Sequence, residues 1–455
     1  MSPSAKVKPF HVAVVGGGIA GLSLAIALHH RGISIKIYEQ ATAFAEVGAG
    51  VSFGPNAVEA MKLCHDGIYN AFTKVCTRNL WPAKEKVWFD YLDGYTNNEA
   101  EYKASSDGKE TKIQNIAFTI TNSLGQTGVH RAHFLDELVK LVPDEIAQFN
   151  KRLEGIEERS SDGKLVLKFA DGAEEDADVV IGCDGIKSRV RQILVGENHP
   201  SAHPTFSHKY AYRGLVPMDK AIEAIGEELA SNSCMHMGPN NHMLTFPVNA
   251  GKTLNIVAFH TTPDPWTEYP RLTRDGTRDE ALRDFAGYGP NVTKLLKLCE
   301  PQLSIWAIYD LATHPVPTYS KHRLAISGDA AHATSPHHGA GAGFCLEDTA
   351  VLAMLLSDPR VQTHKDLEAV LGVFDTSRRE RTQWLVQSSR FIGDSYEWRA
   401  EGVGRDFAKI EEAINYRNGI IADVDVGAMC REAREMLGGR LDGVGSAEEK
   451  GRTSL

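Results

Sequence analysis

The feature that most constrains this chain is Gly16-Gly-Gly18-Ile-Ala-Gly21 together with its flanks. The apolar run His11-Val-Ala-Val-Val15 precedes it, and Leu22, Leu24, Ala25 and Leu28 follow at helical spacing. Gly32 stops that helix, and Ser34-Ile-Lys-Ile-Tyr38 is a second apolar run closed by Glu39. Strand, helix and strand at this spacing form a parallel pair with a right-handed crossover. Gly16 is read as the tight turn, Gly18 as the place where the backbone admits a pyrophosphate, and Gly21 as the close helix–strand contact. Glu39, about 20 residues on, would accept the ribose hydroxyls of adenosine. The pattern serves FAD and NAD alike, and a glycine turn with no ligand has the same letters.

Two later stretches repeat the logic of a strand delivering a turn. Asp178-Val-Val-Ile-Gly182 reads as a parallel strand that leads into Cys183-Asp184-Gly185-Ile-Lys-Ser188-Arg-Val-Arg191. Ligands gather at the carboxyl ends of such strands, so Asp184 and Gly185 are candidates, with an ordinary strand-to-helix turn as the alternative. Arg323-Leu-Ala-Ile-Ser327 reads as another buried strand, and a helix begins at Gly341 with Phe344, Ala350, Val351, Met354 and Leu355 on one side. The glycine-rich turn between them holds one carboxylate, Asp329, suited to accept two hydroxyls of a ribityl or ribose chain. The helix N-terminus at Gly341 and Ala342 would face a hydrogen-bond-accepting ring edge.

A chain of 455 residues has room for two or three domains. Its net charge of −10 argues against nucleic acid or an anionic membrane as partner. Cysteines 64, 76, 183, 234, 299, 345 and 430 make no CxxC, so reduced thiols and no metal site are expected. No apolar run reaches the roughly 18–20 residues of a membrane span. Cytoplasm is the expected compartment.

The middle of the chain changes pattern. Val87-Trp-Phe-Asp-Tyr91 and Ile116-Ala-Phe-Thr-Ile120 read as strands, with a polar loop from Asp93 to Thr111. His130-Arg131 opens a helix with apolar face Phe134, Leu135, Leu138, Val139 and Val142, and Leu165–Phe169 with Asp171-Gly172 reads as a strand and hairpin turn. From Pro200, alternating pieces such as Ala211–Val216, Cys234–Met237, Met243–Pro247 and Leu254–Phe259 predict an antiparallel sheet. Ile305–Tyr309 is read as the return from it, followed by helices over Val370–Tyr396 and Phe407–Met436. The expected organisation is 9–198 for the first part of a dinucleotide-binding domain, 199–304 for a mainly β inserted domain, and 305–365 for the second part of the first domain. A helical region over 366–436 and a flexible tail over 437–455 complete it.

The motifs at 16–39, 184–191 and 328–348 closely resemble, in order and spacing, those of the class A flavoprotein aromatic hydroxylases, salicylate-hydroxylase-like and of fungal type. The family pattern at the third is Gly-Asp-Ala-Ala-His, a proline, a glycine-rich run, then Glu-Asp. Its usual Gln is Ala340 here, a departure that salicylate-hydroxylase-like members share, and Cys183 stands where Ala is usual. The resemblance implies an α/β fold like that of para-hydroxybenzoate hydroxylase: a Rossmann-like FAD-binding domain, an inserted antiparallel-sheet substrate domain and C-terminal helices. It places Arg131 against the FAD pyrophosphate and Gly50 and Asn56 beside the flavin and substrate. Asp184 and Gly185 would touch the pyrophosphate and the nicotinamide path, and Pro336 would lie near the reacting oxygen.

The implied chemistry is reduction of FAD by NADH or NADPH, addition of O2 as a flavin C4a-hydroperoxide, and oxygen transfer to a small aromatic substrate. The runs Lys209-Tyr-Ala-Tyr-Arg213-Gly and Met235-His-Met-Gly-Pro-Asn-Asn-His242-Met-Leu-Thr-Phe246-Pro are similar to those of fungal salicylate hydroxylases. They also resemble dearomatising hydroxylases, in which an arginine matching Arg213 and a tyrosine matching position 246 hold the phenolate. Position 246 is Phe here. Arg213 suits a carboxylate or phenolate, or else a surface acid. His236 is carried as a candidate base, with a structural or rim role for His236 and His242 as the alternative. His332, His337 and His338 are read as structural or flavin-flanking. Decarboxylative hydroxylation of salicylate to catechol is the first expectation, by a monomer or homodimer. The alternatives are a hydroxylating or dearomatising monooxygenase of a fungal polyketide pathway, a flavin-loaded binding or sensor protein, and an NAD-only dehydrogenase.

Overall fold

The computed structural model describes residues 8–44, 50–95, 102–104, 110–112 and 116–452. Its first sheet runs in the order Ser320–Lys321, Leu324–Ile326, Val179–Gly182, His11–Val15, Ser34–Tyr38, Ala147–Gln148. All neighbours are parallel except the first hairpin. Parallel strands need helices on their faces, and both neighbours of His11–Val15 are reached by long crossovers. The helix Ile19–His29 supplies one of these and is buried along almost its whole length.

The helix Gly341–Leu356 is buried on nearly every side from Gly343 on, including Glu347 and Asp348, as only a central position allows. It packs against Ile19–His29, Pro55–Cys64, His364–Tyr396 and Val426–Arg452. Leu346, Val351, Leu352, Leu355 and Leu356 are fully buried in it, each contributing about 1.5–3 kcal/mol. The second sheet has eight strands, in the order Thr273–Thr277, Gln302–Asp310, Thr205–Pro217, Thr253–Thr261, Asn241–Val248, Cys234–Gly238, Val87–Asp93, Ile116–Thr121. Pairing is antiparallel apart from Cys234–Gly238 with Val87–Asp93.

The helix His364–Tyr396 joins the two halves. Thr363 and Asp366 start it as a capping box, each side chain accepting from the other's backbone N–H. Its 33 residues span about 50 Å at 1.5 Å per residue. Arg378 therefore reaches the central helix while Tyr396 reaches the second sheet.

Three boundaries differ from the sequence expectation. Val87–Asp93 and Ile116–Thr121, placed within 9–198, pair with the second sheet. Gln302–Asp310 lies inside that sheet, so the boundary at 304/305 cuts a strand. Alternating burial identifies a strand but not the sheet that receives it. The helical region read as Phe407–Met436 is two helices, Phe407–Ala422 and Val426–Arg452, parted where the Asp425 side chain accepts from Ala428 N at 2.6 Å. The second continues through residues 437–452, read as a frayed tail, and residues 453–455 lie outside the described part. The expected Asp93–Thr111 loop carries the hairpin Tyr102–Ala104 with Glu110–Lys112. Among the described residues no helix is long and apolar enough to cross a membrane.

Candidate active site

A groove of about 780 Å³ runs along the carboxyl edge of the first sheet. Its floor is largely main chain. Gly16 has φ +103, and a Cβ there would meet the Cys183 carbonyl oxygen at 2.4 Å. A Cβ at Gly21 would meet the Gly16 carbonyl at 2.0 Å. At Gly18 nothing lies within 4 Å, so the backbone faces open space. Glu39 accepts from Gly17 N at 2.7 Å and Ala41 N at 2.8 Å, and its carboxylate keeps further acceptor sites toward the groove.

Asp329 faces the same groove with no hydrogen-bond partner for its carboxylate among the described residues. The helix Gly341–Leu356 starts there with no side-chain cap, leaving the first N–H groups of Gly341 and Ala342 to a ligand. Arg131, first residue of the helix Arg131–Val139, lines the groove as well. An open glycine backbone, an acceptor carboxylate at each end and an uncapped helix N-terminus make a donor and acceptor set that fits FAD.

Asp184 lines the groove as expected, with its carboxylate engaged within the protein. Its Oδ1 accepts from Ser188 Oγ at 2.5 Å, and its Oδ2 accepts from the Arg189 and Val190 N–H groups at 2.7 and 3.0 Å. The carboxylate caps the helix Arg189–Val195. The group left for a ligand is the Gly185 backbone, at φ +73 with open space beyond it.

Beside the groove lies a second, smaller cavity of about 120 Å³, sharing Val51, Pro336 and Gly339 with it. Its volume is close to that of an apolar cavity of about 150 Å³ that takes one benzene ring. Trp88, Phe89, Tyr91, Phe246, Phe259 and Tyr396 make most of its wall. Gly50 belongs here rather than to the cofactor groove, because the Phe246 ring lies where its Cβ would be, at 2.5 Å. Pro336 stands at the junction of the two spaces.

Arg213 is the cation of this cavity. On the strand Thr205–Pro217 it pairs with Val257, and so shares a face with Ala211 and Phe259. Its guanidinium lies over Trp306 at 4.5 Å, and its Nε is shielded with no partner. The surface acid that a strand arginine invites is absent among the described residues. Burial first, and then Arg131, push the guanidinium down to about 10, so an anion arriving here relieves an uncompensated charge.

His236 is corrected by strand alternation. It pairs with Met243 and shares the face of Cys234, while Met235, Leu244 and Phe246 face the cavity. Buried with Nε2 unpaired and pushed down to about 4 by that burial, it lines neither space. The other histidines divide. His332 Nε2 lies 2.7 Å from Asp348, and His338, which also lines the cavity, has its Nε2 2.9 Å from Ser388 Oγ, so both rings are held by the protein. His337 is buried, lines the aromatic cavity and has no partner for either ring nitrogen. Among the described residues no group of three or more His, Cys, Asp or Glu is placed to hold a metal ion.

The sequence reading gave Glu347 and Asp348 no work and missed Arg378 altogether. Arg378, fully buried, bonds Asp348 and Glu347 at 2.7 Å each. Arg381 and Asn56 hold Glu347 at 2.9 and 2.7 Å, and Asp348 accepts from Gly328 N at 3.0 Å. Burial would raise the Asp348 carboxyl, but His332 and Arg378 hold it well below the usual range. The network fixes the turn that carries Asp329. An arginine of the long helix, thirty residues from its acid, leaves no local signal.

The family described as "FAD binding domain" matches residues 10–389. The chain is 43% identical over 445 residues to the FAD-dependent monooxygenase orf3 of Aspergillus niger, covering 95% of this chain and 98% of that one. It is 38% identical over 474 residues to the salicylate hydroxylase asL1 of Sarocladium schorii, covering 98% and 97%. A solved salicylate hydroxylase substrate complex superimposes with a TM-score of 0.80 at 36% identity, over 94% of this chain and 98% of that one.

Proposed function

The chain belongs to the FAD-binding-domain family and is a flavin-dependent aromatic monooxygenase; from that premise we propose that it hydroxylates a single-ring phenolic acid, with salicylate to catechol and CO2 as the first reading. The observation that carries this is Arg213, an unpaired cation in an apolar cavity of about 120 Å³ beside the FAD-shaped groove. The likeness to salicylate hydroxylases supports it.

In this reading Gly16, Gly18, Gly21, Glu39, Arg131, Gly185, Asp329, Gly341 and Ala342 hold FAD. Bound there, FAD supplies activated oxygen from O2 at the expense of NADH or NADPH. The protein's share is binding and exclusion. Arg213 takes the carboxylate or phenolate oxygen, and Trp306 holds the guanidinium flat. The aromatic walls orient the ring and keep water out, and Pro336 keeps the junction narrow. Oxygen enters at the ring carbon that bears the carboxylate, which leaves as CO2 while its bonding pair stays with the ring. Seven free cysteines suit a reducing cytoplasm, with a monomer or homodimer as the acting form.

A second reading, hydroxylation or dearomatisation of a phenol in a fungal polyketide pathway, draws on the same Arg213 and on the likeness to fungal FAD-dependent monooxygenases. Phe246 provides no hydroxyl for a phenolate, and the small cavity favours one ring. Carboxyl-labelled salicylate with NADH and O2 separates the readings. Stoichiometric catechol and labelled CO2 are expected. NADH oxidation giving only peroxide would turn the assignment to the second reading. Arg213→Met is expected to raise KM about 30- to 100-fold, about 2–3 kcal/mol, with flavin content unchanged. An unchanged KM would remove Arg213 from substrate binding.

A further inference from the structure

His337 is the wall between two spaces. On one side is the aromatic cavity; on the other is a polar groove of about 660 Å³ lined by Lys209, Asn240, Thr261, Arg390, Asp394 and Arg399. The ring is pinned on its other faces, since the Gly393 Cβ position is 2.3 Å from it and Phe259 stands 5.0 Å away. A buried imidazole with both nitrogens unpaired is costly unless a ligand completes it.

His242 meets His337 edge to face, with ring centroids 5.1 Å apart. Its Nδ1 lies 3.0 Å from Glu397, so Nδ1–H donates to the carboxylate and Nε2 carries the lone pair. That Nε2 is buried and unpaired. Glu397 is fully buried and also accepts from Lys209 Nζ and from Thr261 Oγ1. Lys209 reaches Asp394 at 2.9 Å, and the Asp394 side chain is 41% exposed in the polar groove. Titratable groups thus line the way from a dry cavity to water, hydrogen-bonded from His242 onward and in ring contact between His337 and His242.

We propose that His337 takes the phenolic proton of the bound ring and passes it to His242, where Glu397 holds it before release to the polar groove. This rests on reading the cavity as the phenol site. The phenol O–H breaks as an N–H forms on His337. The opposite His337 N–H then breaks as one forms on His242 Nε2, across one ring rotation or one bridging water. The phenolate stays with Arg213, and the imidazolium is paired with Glu397. His337 touches substrate; His242 and Glu397 act through it as positioning residues.

The charges around His337 fit a carrier that holds a proton only briefly. Burial, then His242, Lys209 and His338 on the neighbouring elements, push its imidazole well down. Arg213 is the other cation lining the cavity, and Arg390 in the groove is neutralised by Asp310. Burial lowers His242 too, but Glu397 opposes that. Burial would raise Glu397, yet His242 and Lys209 keep it ionised.

The test uses the flavin-loaded enzyme without reductant and a nitrosalicylate whose nitro group is para to the hydroxyl, so that the phenolate is coloured. With wild type, binding is expected to ionise the phenol below its free-solution midpoint and release one proton to a pH indicator. In His337→Asn and in His242→Asn the midpoint, set by Arg213, is expected to stay, while the rate of phenolate appearance and proton release after mixing, read by stopped flow, is expected to fall about tenfold or more. Probe affinity at high pH should stay within about threefold, because Arg213 is untouched. An identical rate of phenolate appearance in wild type and His242→Asn would overturn the relay, and that variant decides the matter if His337→Asn loses its flavin. Failure of the probe to bind wild type, or equal binding to Arg213→Met, would overturn the reading of the cavity itself.

Discussion

The cofactor groove and the aromatic cavity touch at Val51, Pro336 and Gly339, yet they are made of different material. The groove is built from main chain in three short stretches around Gly16–Gly21, Gly185 and Asp329–Ala342. What matters there is the absence of side chains and the direction of N–H groups. The cavity is built from side chains of six strands, the turn at Pro336–His338 and the long helix, and what matters there is which ring fills which gap. Such a backbone site tolerates change in most places other than its glycines and the few side chains, such as Glu39, Arg131 and Asp329, that line it. A side-chain site can be re-cut one residue at a time, so a constant cofactor can serve many rings.

The largest expected effect breaks the groove and leaves the cavity residues in place. In Gly16→Ala the new Cβ meets the Cys183 carbonyl oxygen at 2.4 Å, at a φ of +103. Strain and overpacking together should cost about 2–5 kcal/mol. Purified protein is expected to be colourless with a lowered Tm; a yellow, stable variant would mean that the turn can move. Gly18→Ala, whose Cβ meets no protein atom, should lose flavin affinity without that loss of stability.

The next effect falls on the cavity side. His236 is held near 4 and His338 near 3, and His242 and His337 are also lowered, all with burial as the main cause. These histidines lie on the second sheet or the turn packed on it. Unfolded, each binds a proton from about pH 6.5; folded, it does not, so stability is present above pH 6.5 and is lost as pH falls toward 4. His236 alone contributes about 3 kcal/mol over that window. Tm should therefore fall from pH 6.5 to 4, and less steeply in His236→Gln. A flat profile in wild type would show these rings protonated in the fold.

The smallest effect sharpens the comparison. Phe246→Tyr adds a hydroxyl to the cavity wall against Gly50 and Gly128. Stability should change by less than about 1 kcal/mol and flavin content not at all. The ratio of phenol to phenolic-acid turnover should rise about two- to fivefold, since one added donor to a phenolate is worth about 0.5–1 kcal/mol. An unchanged ratio would mean that the 246 side chain does not face the reacting ring.

How far each region was legible follows from the same contrast. The strand, turn and helix around Gly16–Gly21 and the helix from Gly341 were legible as elements, with Glu39 and Asp329 lining the groove, because turn geometry is written in adjacent residues. Asp184 does line the groove, but that its carboxylate also holds Ser188 and two backbone N–H groups of the next helix was not legible. His236 and His337 are both histidines in apolar surroundings. Nothing local says that strand alternation turns one away from the cavity while a three-residue turn aims the other into it.

The amino-acid sequence by itself determined the parallel unit, the cofactor edge and the family, because glycine spacing and periodicity act over a few residues. Only the tertiary structure decided the cavity's size, the pairing of Arg378 with Glu347 and Asp348, the isolation of Arg213 and the line from His337 to Asp394. Those depend on which faces of distant strands and of one long helix meet, and a dry contact fixes the worth of a charge only once the water has been displaced.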